Sequence, residues 1–324
     1  MEFNLKIIVT GASGFLGSWI SRALSQDEQH KVIAFLRPTS SDFRLRNLKN
    51  LTIIRIEEEL WPKAIEKLQA DVLIIADWFG VENTLKNDLR QKDNLQRIML
   101  ITAAAVSSNV GTVLALGSQA EVGIVHKEIT ENTPDNPKTL YGEIKVKTRY
   151  GIQSVVGNTD CRFVWARIFS TYGPLDYGNW LIPNLVDSLS AGKKMLLTKA
   201  EQNWNYLHAY DVARAVNMIL LNSSISGIVN IANTETIVLK DLINFVALQL
   251  NAEKLLDYGA KNYEENQVMN LFSKSEKLNS IDWEPVIELN SGILQTIAWL
   301  QRKKLPNLYD KYGQIVSLKI PPRP

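Results

Sequence analysis

Short apolar runs punctuate the first half of the chain. They fall at 5–10, 31–36, 51–56, 72–76 and 112–116, and are rich in β-branched side chains. Runs this short and nearly continuous predict strands buried on both faces, as in a parallel sheet covered by helices. Segments of helical character lie between them, over 15–26 and over a long stretch at 88–108. A second long one covers 140–156, and a sixth strand is predicted over 161–168. Repeated strand–helix units with right-handed crossovers give an α/β fold, a doubly wound parallel sheet. Beyond Thr171 the pattern changes. Gly, Pro, Asn and Trp become frequent, and elements shorten to 180–190, 195–198, 211–221, 228–232 and 239–250. The end, 320–324, reads as extended or disordered. No internal repeat interrupts this order.

Composition narrows the class. Hydrophobic residues make up 45% of 324, enough for a core of ordinary size. The 36 basic and 34 acidic side chains nearly cancel, leaving a formal charge of +2, and no basic stripe points to nucleic acid. No apolar run approaches the roughly 20 residues needed to span a membrane. The N-terminus carries no basic region followed by an apolar stretch and a cleavage site, so a cytoplasmic enzyme is expected. The single cysteine, Cys161, excludes an intrachain disulfide and reads as an inert thiol in a buried strand. His30, His126 and His208 lack metal-ligand spacing, so no metal site is expected.

Thr10-Gly-Ala-Ser-Gly-Phe-Leu-Gly17 sits where the first strand meets the first helix. Gly11 suits the tight turn off the strand, Gly14 the close approach of a pyrophosphate, and Gly17 the packing of helix against sheet. The helix N-terminus then offers free N–H groups and partial positive charge to an anion. With Ser13, Phe15 and Leu16 beside the glycines, and Ala76 at the end of the fourth strand, this predicts a dinucleotide site of Rossmann type. At the end of the second strand stands Leu36-Arg37-Pro38, with no carboxylate until Asp42. An arginine there accommodates a 2′-phosphate, where an acidic residue would bond a free hydroxyl. NADPH/NADP+ is therefore the expected cofactor. The domain expectation is an NADP(H)-binding unit over 1–170. A mainly substrate-binding lobe over 171–324 is interleaved with the last Rossmann elements.

Tyr141 and Lys145 lie four residues apart on one helix face. An ammonium near a phenol is expected to lower the phenol's pKa, making the tyrosine a proton donor or acceptor at a carbonyl or alcohol oxygen. Ser118 stands at the carboxyl end of a predicted strand, where α/β sheets place their ligands.

With these segments the chain resembles the extended short-chain dehydrogenase/reductases of the nucleotide-sugar epimerase/dehydratase family. The further matching stretches are 116–121 (Leu-Gly-Ser-Gln-Ala-Glu), 166–174, 205–213 and 227–232. The resemblance implies Ser118, Tyr141 and Lys145 as the catalytic trio, with Lys145 also touching the nicotinamide ribose. It implies a nucleotide-sugar substrate and a homodimer through the helices at 88–108 and 140–156.

Departures from the family pattern refine the reaction. The 4,6-dehydratases carry an Asp-Glu pair after the catalytic Ser/Thr; Gln119-Ala120 here cannot move a proton, which argues against dehydration. Arg37 favours an exchanged NADPH and hence a reductase of a nucleotide-linked 4-keto-6-deoxy sugar. The Gly-Ser-Gln-Ala-Glu segment resembles such reductases. A nucleotide-sugar epimerase is the alternative, and a non-catalytic NADP(H)-binding sensor or scaffold the second. Trp78 and Phe79 either wall the substrate or cap the core. The arginine that grips the sugar's diphosphate in many members is replaced by Trp204, leaving Lys193, Lys194 or Lys199 as substitutes. His208 reads as structural. Arg167 either supports the cofactor pocket or makes a structural ion pair.

Overall fold

The computed structural model describes residues 5–264 and 267–324. Six strands arise in order: β1 (Lys6–Thr10), β2 (Lys31–Leu36), β3 (Leu51–Arg55), β4 (Val72–Ile75), β5 (Thr112–Ser118) and β6 (Arg162–Ile168). A seventh, Gly227–Ile231, joins them. The sheet is parallel throughout, in the order β3-β2-β1-β4-β5-β6 and then the seventh strand. This is the doubly wound arrangement that the apolar runs predict. Alternation explains the two covered faces. Ile7 and Val9 of β1 enter one buried cluster and Ile8 the other, all at 0% exposure.

Helices α1 (Phe15–Leu24), α2 (Trp61–Leu68), α3 (Gln91–Ser107), α4 (Leu140–Val156), α5 (Leu181–Ser190), α6 (Ala209–Leu221) and α7 (Leu239–Gln249) follow. On one side α3 packs between α2 and α4; on the other α1 packs on α6. Strand order reverses between β1 and β4, so a crevice opens beyond their carboxyl ends. Register brings the strand ends Thr10, Ile75, Ser118 and Ile168 to that one edge, with Thr10 beside Ile75 and Ser118 beside Ile168.

Three local expectations change. The first long helix starts at Gln91 rather than 88, because Asp88 is spent on the turn before it, accepting from Arg90 N at 2.8 Å. Cys161 lies just outside β6 and is only half-buried; burial still pushes its thiol pKa up. The C-terminal tail is extended but anchored. Pro321 O accepts from the Trp299 indole at 2.8 Å, and Arg323 pairs with Asp187 at 2.8 Å.

Candidate active site

The glycine turn forms as its spacing requires. Gly11 has φ +66°, a left-handed conformation that costs a side chain about 1–2 kcal/mol. A Cβ there would also run into Asp77 N and the Ala76 carbonyl carbon. A Cβ on Gly17 would strike the Gly11 carbonyl oxygen, so Gly17 lets α1 close onto the turn that precedes it. Gly14 caps α1 without any side-chain bond to the first N–H groups. Those donors remain available to an anion at a positive helix end.

A cleft of about 680 Å³ runs from this turn along the strand ends. Gly14, Phe15, Leu16, Ala76, Ser118, Tyr141 and Lys145 all line it, so most of the sequence-derived site residues converge on one cavity. Gly11 and Ser13 sit in the turn beside it and Gly17 in the first turn of α1, none of them in its lining. Lys145 Nζ donates to Leu116 O at 2.7 Å and lies 3.6 Å from the centroid of the Trp78 ring. The Trp78 indole N–H is held by Gln91 Oε1 at 2.8 Å, and its ring meets Tyr141 edge-on. Trp78 is thus a wall of the cleft. Phe79 lies outside the lining and packs under the Arg90 guanidinium at 4.6 Å.

The electrostatics differ from expectation. Burial pushes Tyr141 up to about 12; a Ser118 hydrogen bond lowers it and the charge of Glu121 raises it. Lys145 is pushed down to about 7 by burial, with Glu121 and Asp77 opposing. The lysine therefore does not pull the phenol down. A shared low-dielectric site drives both groups toward their neutral forms.

Beneath the trio lies a buried charge cluster. Glu121 accepts from Ser118 N at 2.6 Å, from the Trp165 indole N–H at 2.9 Å and from Arg167 Nε at 3.3 Å. Arg167 thus makes a structural ion pair, at 0% exposure on both sides. Asp135 lies 3.8 Å from Arg167 Nη2 and also takes Arg149.

Arg37 stands apart from the cleft. Its side chain is 58% exposed and its Nε lies 3.6 Å from Glu58 Oε1. Lys193, Lys194 and Lys199 are exposed and do not line the cleft, and Lys194 is paired with Asp257 at 2.7 Å. The lysine substitutes suggested for the missing arginine are therefore misplaced, because the chain carries them to the outer surface. Trp204 does line the cleft, its indole donating to Ser170 Oγ at 2.7 Å.

Residues without a motif complete the site. Lys86 lines the cleft, and its carbonyl accepts Tyr141 N at 2.8 Å. Arg44 donates from Nη1 to Ser13 O at 2.9 Å and from Nε to Leu175 O at 2.8 Å, tying the glycine turn to the C-terminal half. Asp77 takes Thr10 Oγ1 and Arg97 Nη2, the latter at 2.9 Å. Their neighbours in sequence hold no repeated spacing that would single them out. Among the described residues, no group of His, Cys, Asp and Glu could hold a metal ion. None of the described helices is long and apolar enough to cross a membrane.

Comparison with known proteins decides the family. The profile of the NAD dependent epimerase/dehydratase family matches residues 7–232. The chain belongs to that family. Among curated relatives, this epimerase/dehydratase is 24% identical over 91% of its length to an uncharacterized UDP-glucose epimerase, YtcB, of Bacillus subtilis, covering 98% of that protein. It is 24% identical over 92% of its length to dTDP-D-glucose 4,6-dehydratase of Bos taurus, covering 89%. Among solved structures it is similar to UDP-glucuronic acid 4-epimerase from Bacillus cereus in complex with UDP-glucuronic acid and NAD. That match has TM-score 0.82, 18% identity, and covers 92% of this chain and 99% of the other. At that identity the likeness speaks for the fold.

His208 serves this family member as a scaffold. It caps α6, its Nδ1 accepting Tyr210 N at 3.1 Å, and packs edge-on against Trp19 and Tyr172. Burial pushes its pKa from 6.5 to about 3. Between those values the unfolded chain binds more protons than the folded one, so stability falls as pH drops from 6.5 toward 3. His208→Asn keeps a capping acceptor and is expected to flatten Tm against pH in that window. An unchanged slope would show that His208 carries none of the acid sensitivity.

Proposed function

We propose that the protein is an NADPH-dependent reductase of a nucleotide-linked 4-keto-6-deoxy sugar. The carrying observation is that the glycine turn, Ser118, Tyr141 and Lys145 open into one cleft. The cofactor fits what the chain presents. The uncapped start of α1 meets its pyrophosphate, and the close contact of Gly11 with Ala76 and Asp77 leaves room only for backbone on that side. When bound, the reduced nicotinamide supplies the hydride. In this reading residues 1–170 form mainly the cofactor unit and 171–324 mainly the substrate lobe.

Reduction needs an acid, and a buried phenol with its pKa near 12 stays protonated across the neutral range. Tyr141 gives its proton to the oxygen of the reduced carbonyl, leaving an alcohol on the sugar and a phenolate on the enzyme. Ser118 orients that oxygen. Lys145, fixed by Leu116 O and the Trp78 face, is half-protonated near pH 7, and its protonated form provides positive charge beside the phenolate until solvent returns a proton. Lys86 offers the cleft a cation for the sugar's diphosphate.

Arg37 takes the 2′-phosphate. Its partner Glu58 competes weakly, since exposed ion pairs are worth about 0–1 kcal/mol. Arg37→Ala is expected to weaken NADPH by roughly 10-fold or more and leave NADH unchanged, because a hydrogen bond to a charged group is worth about 1.5–3 kcal/mol. Titration calorimetry of both cofactors checks this. Wild type binding NADH as well as NADPH would return the assignment to NAD.

The direct test of function is to supply NADPH and a nucleotide-linked 4-keto-6-deoxyhexose. Stoichiometric oxidation of NADPH is expected. Sugar isomers interconverting without net cofactor change would instead establish the epimerase alternative, in keeping with the relative YtcB. Cofactor binding without turnover of either kind would leave a sensor. We also propose a homodimer through α3 and α4, supported by the exposed apolar side chains Leu100 and Tyr150 on those helices. The lone cysteine fits a reducing, cytoplasmic setting.

A further inference from the structure

The loop that follows β4 is gripped by one face of α3. Gln91, Asn94 and Arg97 recur at helical spacing, so their side chains line up along the loop. Gln91 and Asn94 are fully buried, and each bonds in both directions. Gln91 Nε2 donates to Gly80 O at 2.7 Å and to Leu85 O at 3.0 Å, while its Oε1 accepts the Trp78 indole N–H at 2.8 Å. Asn94 Nδ2 donates to Phe79 O at 3.1 Å, and its Oδ1 accepts Phe79 N at 2.9 Å. Arg97 Nε closes the row on Asp77 Oδ2 at 2.9 Å. A carboxamide that uses both its oxygen and its nitrogen sits in one orientation only. The Trp78 ring is therefore fixed twice, by the held backbone of Phe79 and by its own N–H.

That ring faces Lys145. The ammonium stands 3.6 Å from the Trp78 centroid, but 5.8 and 5.9 Å from those of Tyr141 and Trp165. Among the described residues Lys145 Nζ donates one hydrogen bond, to Leu116 O at 2.7 Å. An ammonium has three N–H groups, and at 4% exposure little water is left for the others. The negative face of an indole is the partner at hand. The charges around Lys145 do not settle its state. Burial disfavours the ammonium; Glu121 on the turn after β5 and Asp77 after β4 favour it; Arg97 on α3 disfavours it. Tyr141 on α4, held high, is neutral at neutral pH. In so even a balance one close contact shifts the charged fraction.

We infer that Trp78 is a positioning residue for Lys145: its indole face, aimed by Gln91, holds the ammonium in place and in its charged form beside Tyr141. The inference rests on the reading of Lys145 as the charge beside the proton donor. It gives the buried polar face of α3 a task in the reaction, because Gln91 sets the ring and the ring sets the lysine.

The test is the ionisation of Lys145, followed by NMR in protein carrying lysine labelled with carbon-13 at Cε. The Lys145 signal is identified by its absence in Lys145→Met, and its shift is read against pH. Trp78→Leu removes the π face and keeps an apolar filler. It is expected to lower the midpoint by about one pH unit, a tenfold change in the acid constant, which is the worth of a cation–π contact away from water. Trp78→Phe keeps a smaller face in the same wall and should fall between. A midpoint that stays or rises in Trp78→Leu overturns the inference, and so does an equal drop in both variants, which marks lost packing alone. If Trp78→Leu does not fold, Trp78→Phe decides: an unchanged midpoint overturns the inference. The kcat profile for NADPH oxidation with a nucleotide-linked 4-keto-6-deoxyhexose should move in the same order. Midpoints that shift while that profile stays still overturn the positioning role. Midpoints that shift as expected in a protein that turns over no such sugar leave the contact standing and overturn the proposed function instead.

Discussion

Replacing Tyr141 by phenylalanine is expected to cut turnover by about 10²–10⁴-fold, the usual contribution of a positioned acid. The change removes one hydroxyl from a side chain that is 8% exposed and packed edge-on against Trp78. The ring and its packing persist, so NADPH affinity and Tm should stay near wild type. NADPH oxidation followed at saturating 4-keto sugar gives the rate. A raised phenol pKa adds a second signature. Wild-type kcat for reduction should be insensitive to Tyr141 ionisation from neutral pH to well above 9, because the acid form persists toward about 12. Lys145, pushed down to about 7, should contribute any change seen near neutrality. Full activity in Tyr141→Phe would remove the phenol from the mechanism.

The largest loss of stability is expected from Glu121→Ala. The substitution strips the carboxylate from Arg167, which is 0% exposed, and leaves the Trp165 indole and Ser118 N–H without their acceptor. Breaking a buried pair by removing one partner costs about 3–5 kcal/mol. For a chain of this size that lowers Tm by roughly 6–15 °C. Glu121→Gln retains one acceptor oxygen for Ser118 N or Trp165, but leaves Arg167 to the more distant Asp135 at 3.8 Å. It should melt between the two. Since Glu121 also fixes the backbone of Ser118, Glu121→Gln should lower kcat more than it raises KM. Wild-type melting in both variants would mean that Arg167 finds another partner, and would sink the proposed role of the pair.

Much of this was legible along the chain for physical reasons. Parallel strands buried on both faces leave continuous apolar runs, so the sheet announces itself in 5–10, 72–76 and 112–116. A phosphate turn tolerates only glycine where Gly11 takes φ +66°, so Thr10 to Gly17 carries its own signature. Tyr141 and Lys145 share a helix face at fixed spacing, and that spacing survives folding unchanged.

Other features have no local imprint. Lys86 enters the cleft because β4 delivers its following loop there, while Lys193 and Lys194 are carried to the outside. The direction of the Tyr141 shift depended on burial, which outweighs the Ser118 hydrogen bond and is a property of the packed interior alone. Glu121, Trp165 and Arg167 lie as far as 46 residues apart and become one cluster only when β5 pairs with β6. The sequence by itself determined the periodic framework, the glycine turn and the shared helix face of Tyr141 and Lys145, because each depends on neighbours within a few residues. Tertiary structure alone decided which charges meet and how far each acid is held from water, because those follow from contacts that only the closed sheet creates.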